Sequence, residues 1–299
     1  MKGDEPLGTG ELAAFATAVC WTVTVMAFET AGRKVGSLPV NLIRLLAGLI
    51  FLSVYCAAAE GRILPLDAGT HRWFWLGLSG IVGFVVGDLC LFRAFVLIGS
   101  RISMVIYALV PPATALAGLV FLNESLSLRN WMGISVTVTG ISMVILVKES
   151  RRVKLAHPVK GIMLALGGTL GQAAGLVLSK YGVGDYSAFA ATQIRIIAAV
   201  AVFAMAIPLS RRTGRVRQAL KNPSAMRFIA LGSFFGPFLG VSLSLLAVQH
   251  INVGVASTIM AMVPVFIMIP ERVFLGKSFR GLEIAGAFLA VSGVALVTV

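Results

Sequence analysis

Along the chain, long apolar runs alternate with short polar connections. A helix that crosses a bilayer needs roughly 20 predominantly apolar residues. Ten runs approach or exceed that length: 12–31, 40–59, 73–98, 102–122, 131–147, 159–179, 187–208, 228–248, 253–274 and 282–297. At about 20 residues each they consume about 200 of the 299 residues. No connection is long enough for a soluble domain, and the longest, 209–227, is polar and basic. Trp73, Trp75 and Trp131 stand at the starts of runs, at the headgroup level that amphipathic rings favour. The pattern predicts an all-α membrane protein of ten transmembrane helices.

The runs fall into two copies, 10–148 and 158–299, of five helices each. Placing Val110-Pro111 over Val263-Pro264 sets a shift of 153 residues. Gly83 then falls on Gly236, Gly87 on Gly240, Ala94 on Ala247, Gly133 on Gly286 and Gly140 on Gly293. A shift of 151 puts Arg44 on Arg195 and Trp21 on Gln172. An odd number of helices per copy sends the second copy into the membrane from the other side. Such inverted repeats place a substrate site near the midplane and work by alternating access. Gly167, Gly171 and Gly175, and likewise Gly232, Gly236 and Gly240, are spaced for close helix packing. Pro111 and Pro264, with Pro112 and Pro237, lie inside runs, where each removes a backbone donor and kinks or hinges its helix.

Composition agrees with the pattern. Only 12% of residues are charged and 58% are hydrophobic, whereas soluble domains carry about 25% charged residues. The net charge of +13 would suggest nucleic acid in a soluble protein. Here topology accounts for it. Setting aside Arg44, Arg93 and Arg195 leaves 22 basic residues: 17 lie in or at the edges of the loops after runs one, three, five, seven and nine, and five lie on the other face. The positive-inside rule puts the basic loops in the cytoplasm and both termini outside. The first run lacks a basic leader segment, so it is expected to stay in the membrane rather than be cleaved. Cys20, Cys56 and Cys90 sit in apolar runs as free thiols, and His71, His157 and His250 are scattered. Neither a metal site nor a cofactor is expected, and nucleic acid is not an expected partner.

The stretch Phe92-Arg93-Ala94-Phe95, then Ser100 to Pro111, then Phe121-Leu122-Asn123-Glu124-Ser125-Leu126 resembles the drug/metabolite transporter superfamily. It is most similar to proteins with two EamA repeats. The second copy departs from the pattern, with Lys277 where it has Glu, so Glu124 reads as a turn or capping residue. The resemblance implies a ten-helix basket and transport of small metabolites, often efflux, across the cytoplasmic (inner) membrane. The partners it implies are membrane lipid, a small-molecule substrate and protons as a candidate coupling ion. The sequence leaves the oligomeric state open, with a monomer allowed.

Charge inside a membrane is costly and marks functional candidates. Asp88 lies eleven residues before Gly99, about 16 Å deep at 1.5 Å per residue. Arg44 and Arg93 sit nearer the basic face; Asp88 and Arg93 point roughly 140° apart on one helix, and Arg44 is at a depth to meet one of them. One reading has an arginine hold a substrate carboxylate while Asp88 carries a proton. The competing reading is a structural ion pair, with an arginine snorkelling to the interface. Arg195, the mate of Arg44, lies too deep to snorkel easily. Gln172, Trp21 and Tyr107 are further substrate-site candidates, with plain packing as the alternative. Pro111, Pro264, Gly83, Gly87, Gly236 and Gly240 are hinge or packing positions.

Two motifs are set aside. Gly276-Lys277-Ser278 lacks the first glycine of a phosphate-binding loop, since Glu271 stands there. Gly182-Val183-Gly184-Asp185 spells the motif of intramembrane aspartyl proteases, but Asp185 falls in a short loop far from Asp88. The expectation is therefore a non-enzymatic exporter of amino-acid-like or related solutes. The alternatives are uptake or exchange of a phosphorylated or sugar-linked solute, and a polytopic membrane enzyme.

Overall fold

The computed structural model describes residues 8–147, 158–209, 213–276 and 278–298. Every regular element among them is helical. The first copy runs α1 (Thr9–Val35), α2 (Ser37–Glu60), α3 (Thr70–Gly80), a π-helical turn over Ile81–Gly87, α4 (Asp88–Tyr107), α5 (Val110–Phe121) and α6 (Leu128–Val147). The second runs α7 (Pro158–Val183), α8 (Ala188–Leu209), the short α9 (Thr213–Leu220), α10 (Pro223–Ser233), a second π-helical turn over Phe234–Gly240, α11 (Val241–His250), α12 (Val253–Met260), α13 (Val263–Phe266), α14 (Met268–Leu275) and α15 (Gly281–Thr298).

Nine helical stretches among the described residues are long and apolar enough to cross a membrane. They begin a few residues earlier than the apolar runs in several places, as with Thr9–Val35 and Ser37–Glu60. Gly36, at φ 85°, lets α1 and α2 follow each other with no loop. The remaining run, expected at 131–147, is helical as α6 but is not among the nine.

The inversion is visible where α6 meets α15. A side-chain carbon added at Gly133 would stand 2.7 Å from the carbonyl of Gly293, and one added at Gly286 would stand 2.8 Å from that of Gly140. Gly133 thus touches the counterpart of Gly140, not its own counterpart Gly286. Thr137 does touch its own counterpart, its hydroxyl donating to the Ala290 carbonyl at 3.5 Å. This antiparallel exchange is what a two-fold axis lying across both helices produces.

The same shift relates four backbone irregularities. The π-helical turns at Ile81–Gly87 and Phe234–Gly240 are 153 residues apart, end to end. The stretches Ile102–Phe121 and Val253–Phe274 are each broken just before their prolines, at Ala108-Leu109 and Ala261-Met262. Pro111 and Pro264 have no N–H for the carbonyls of Tyr107 and Met260, four residues back. The chain tightens there instead: Leu109 N–H donates to Ile106 at 3.0 Å and Met262 N–H to Ile259 at 3.1 Å. Pro237 sits inside the second π-helical turn.

Glycines seat these turns. Carbons added at Gly171 and Gly175 of α7 would lie 2.8 and 3.1 Å from the Cα atoms of Gly87 and Gly83. The second copy pairs small with large: Thr24 and Trp21 of α1 cover Gly236 and Gly240, where an added carbon would lie 2.8 and 2.7 Å from them. A polar network closes one face between the loops 61–69 and 184–187. Arg62 binds Glu60 at 2.9 Å and also pairs with Asp67. The Tyr186 hydroxyl donates to Asp67 at 2.9 Å, and Arg72 binds Asp185 at 2.6 Å. Asp185 is thus part of a surface ion pair.

Candidate functional site

Asp88 is the first residue after the π-helical turn of span three. Its position presents the carboxylate to α2 and α7. Arg44 of α2 pairs with Asp88 Oδ2, and Gln172 of α7 donates from Nε2 to Asp88 Oδ1 at 2.8 Å. The same amide nitrogen lies 3.3 Å from the Gly83 carbonyl. Arg44 Nε donates to the buried Asn41 at 2.7 Å, and its guanidinium lies 5.6 Å from the Phe28 ring. The side chains of Arg44 and Asp88 are only 17% and 13% exposed. Tyr107 is half-buried at the end of α4. Three elements far apart in sequence therefore converge on one carboxylate, and the charge of Asp88 is balanced within the chain.

Arg195 is arranged differently. It is 5% exposed, and its Nε has no hydrogen-bond partner. The described residues offer it no ion pair; its guanidinium lies 4.8 Å from the Phe84 ring instead. A carbon added at Gly83 would meet Arg195 Nη2 at 3.7 Å. One π-helical turn thus carries the Gln172–Asp88 bonds at one side of Gly83 and the Arg195 guanidinium at the other. The repeat explains the contrast. Arg44 finds Asp88, while the position matching Asp88 in the second copy is Val241. A buried, uncompensated cation is costly unless an anion joins it.

The other expected positions are spread out. Arg93 is exposed. Trp21 packs on Gly240 and belongs to the core margin. Met260 and Met262 are buried core side chains. Glu124 binds Lys180 at 2.6 Å and accepts from the Val253 N–H at 2.9 Å, capping α12 of the other copy. Asn41, Phe28 and Phe84, which complete the surroundings of the two arginines, were not singled out from sequence. The repeat offered a signal for one of them, since Phe84 falls on Pro237. Among the described residues, no group of three His, Cys, Asp or Glu is placed to hold a metal ion.

The EamA-like transporter family matches residues 8–146 and, a second time, 159–299. The chain belongs to the EamA-like transporter family. It is a multi-pass membrane protein with two EamA repeats, in a family of small-solute transporters. A solved structure described only as "Crystal structure of protein" superposes with a TM-score of 0.78. The match covers 98% of this chain and 97% of that one at 17% sequence identity, a likeness of fold. No curated protein matches the chain. In this EamA chain, both arginines and Asp88 flank the one π-helical turn of the first repeat.

Proposed function

We propose that this chain is a secondary transporter that moves small acid-bearing solutes of amino-acid-like size outward by alternating access. One observation carries the reading: Arg44 has its counterion in Asp88, whereas its repeat-mate Arg195 is buried with no ion pair among the described residues. A solute carboxylate supplies the missing charge at Arg195, and the Phe84 face gives the solute's apolar part a surface. Asp88 is the coupling group. On taking a proton it releases Arg44, which then becomes a second cation facing the solute. The paired glycines at the π-helical turns and the breaks before Pro111 and Pro264 are the places where the bundle flexes.

The experiment uses purified protein in proteoliposomes with labelled amino acids and related carboxylates, with and without a pH gradient. The expected result is uptake that Arg195→Gln reduces at least tenfold. Failure of every solute to move under either condition overturns the reading.

Orientation follows from the basic loops: they face the cytoplasm of the inner membrane, and both termini face outward. A reporter joined to Val299 that is active only outside the cytoplasm is expected to give signal; silence would reverse the assignment.

A further inference from the structure

The two faces of the bundle carry the same seam with different chemistry. On one face the seam lies between loops 61–72 and 184–187; on the other, the counterpart lies between the end of α1 and residues 213–225. At a shift of 153, Arg62 falls on Arg215, but Glu60 falls on Thr213 and Asp67 on Leu220. At a shift of 151, Asp185 falls on Lys34. Arg72 falls on Ala225, so the second seam keeps one of two cations, loses all three acids and gains Lys34. No Asp or Glu occurs anywhere in residues 213–227, which hold Arg215, Arg217, Lys221 and Arg227.

The geometry follows the charges. The first seam is drawn shut by its own ion pairs. The second holds a recess of about 410 Å³ lined by Lys34, Val35, Arg215, Gln218, Ala219 and Asn222. Ala219 is buried, while Lys34, Arg215 and Gln218 are exposed. Lys34 is steered to the recess by the Ser224 hydroxyl at 2.5 Å and by the Phe228 ring at 5.4 Å. Arg215 has no ion pair among the described residues. The recess is built from the end of the span Thr9–Val35, from α9 and from Asn222, the residue before the span Pro223–His250, so it lies at headgroup level.

We infer that this recess binds the phosphate of an anionic phospholipid headgroup, bridged between Lys34 and Arg215. The ammonium and the guanidinium together offer donors on two sides of one phosphate. The anion takes the place that Glu60, Asp67 and Asp185 fill on the opposite face, and so holds the basic seam together. Basic pockets between spans at this level recognise lipid headgroups in the same way. A free phosphate ion has the right charge but lacks the acyl anchor that keeps a lipid headgroup at this depth.

The test reads thermal unfolding of the full chain in nanodiscs of phosphatidylcholine, with and without phosphatidylglycerol. Phosphatidylglycerol is expected to raise Tm by about 2–4 °C. Lys34→Ser and Arg215→Ser are each expected to lose that rise. Lys34→Arg and Arg280→Ser, the latter a charge removed elsewhere on the same face, are expected to keep it. Because each shift is read within one protein, a lower starting Tm does not obscure it. Lipid retained by each purified variant, counted by native mass spectrometry, gives a second measure. An equal rise in all variants means diffuse surface attraction and overturns the site. Inorganic phosphate in pure phosphatidylcholine discs reproducing the rise overturns the headgroup as its source.

Discussion

Arg44 pairs with Asp88 across the space between α2 and α4, while Gln172 of α7 holds the carboxylate's other oxygen. The contact joins helices that do not otherwise pack along their lengths. It is thus a structural tie between the two helices. Removing one partner of a buried pair costs about 3–5 kcal/mol, while replacing both with apolar groups is often neutral. Asp88→Leu alone is expected to lower thermal stability sharply, and Arg44→Met with Asp88→Leu to recover most of the loss. A double-mutant cycle in detergent micelles checks this; simple additivity would show that the pair does not couple.

Transport separates the role of the charge from that of the fold. Asp88→Asn keeps the size of the side chain and the bond to Gln172. It is expected to abolish uphill, gradient-driven movement while solute exchange down its own gradient persists. Full uphill transport by Asp88→Asn in proteoliposomes would remove Asp88 from the coupling step.

Helix contact at the π-helical turn is tight enough to be tested by size alone. Gly171→Leu drives a side chain against the Gly87 backbone, where an added carbon already stands 2.8 Å from Gly87 Cα. The expected cost is about 1–3 kcal/mol or more, read as a lower Tm and less monodisperse protein on gel filtration. Gly32→Ala, where an added carbon meets nothing within 4 Å, is expected to be neutral or slightly stabilising.

Glu124 ties the two copies together on the face of Lys180. Its Oε2 accepts the Val253 N–H and its other oxygen binds Lys180. Glu124→Ala removes both and is expected to cost about 1–2 kcal/mol. Glu124→Gln keeps the cap and is expected to cost less. Equal losses in Tm for the two would mean that the ion pair, not the cap, is what counts.

Acid stability carries a signature of the opposite face. Burial by itself would raise the Asp67 carboxyl, but the Tyr186 hydroxyl, the backbone and Arg62 outweigh it and hold the group below the usual carboxylate range. Burial and the bond to Asp67 push the Tyr186 hydroxyl up. A depressed carboxylate contributes stability that is present above its unfolded pKa of about 3.9 and is lost as pH falls through the folded value. Tyr186→Phe is thus expected to lower Tm at pH 7 and to differ little from the parent near pH 2. A raised tyrosine loses its contribution as pH climbs past about 10. Tm profiles from pH 2 to 11 for both proteins check both limbs; a pH-independent difference would point to lost packing alone.

The apolar runs were legible because bilayer thickness and helical rise impose their length on any spanning chain, and the two copies because the chain repeats itself at a shift of 153 residues. Counting along helices left Arg44 to meet either Asp88 or Arg93, and the fold pairs it with Asp88. Gln172 was a candidate by register with Trp21, but its partner could not be read, since α7 meets Asp88 only through the tertiary fold. The π-helical turns were invisible for a related reason. Their glycines looked like packing positions, and a shift from i−4 to i−5 bonding depends on what presses against the helix.

Sequence alone determined that this is an all-helical membrane protein of two EamA repeats with scarce charge inside its spans. Periodicity, hydropathy and self-similarity are local or linear properties, so the chain carries them openly. Only the tertiary structure decided that Arg44 is neutralised while Arg195 has no ion pair among the described residues, that Arg93 is exposed, and that one seam is closed by acids its counterpart lacks. Those outcomes depend on which distant side chains share a low-dielectric space. A charge's partner there is set by three-dimensional distance, which sequence separation does not encode.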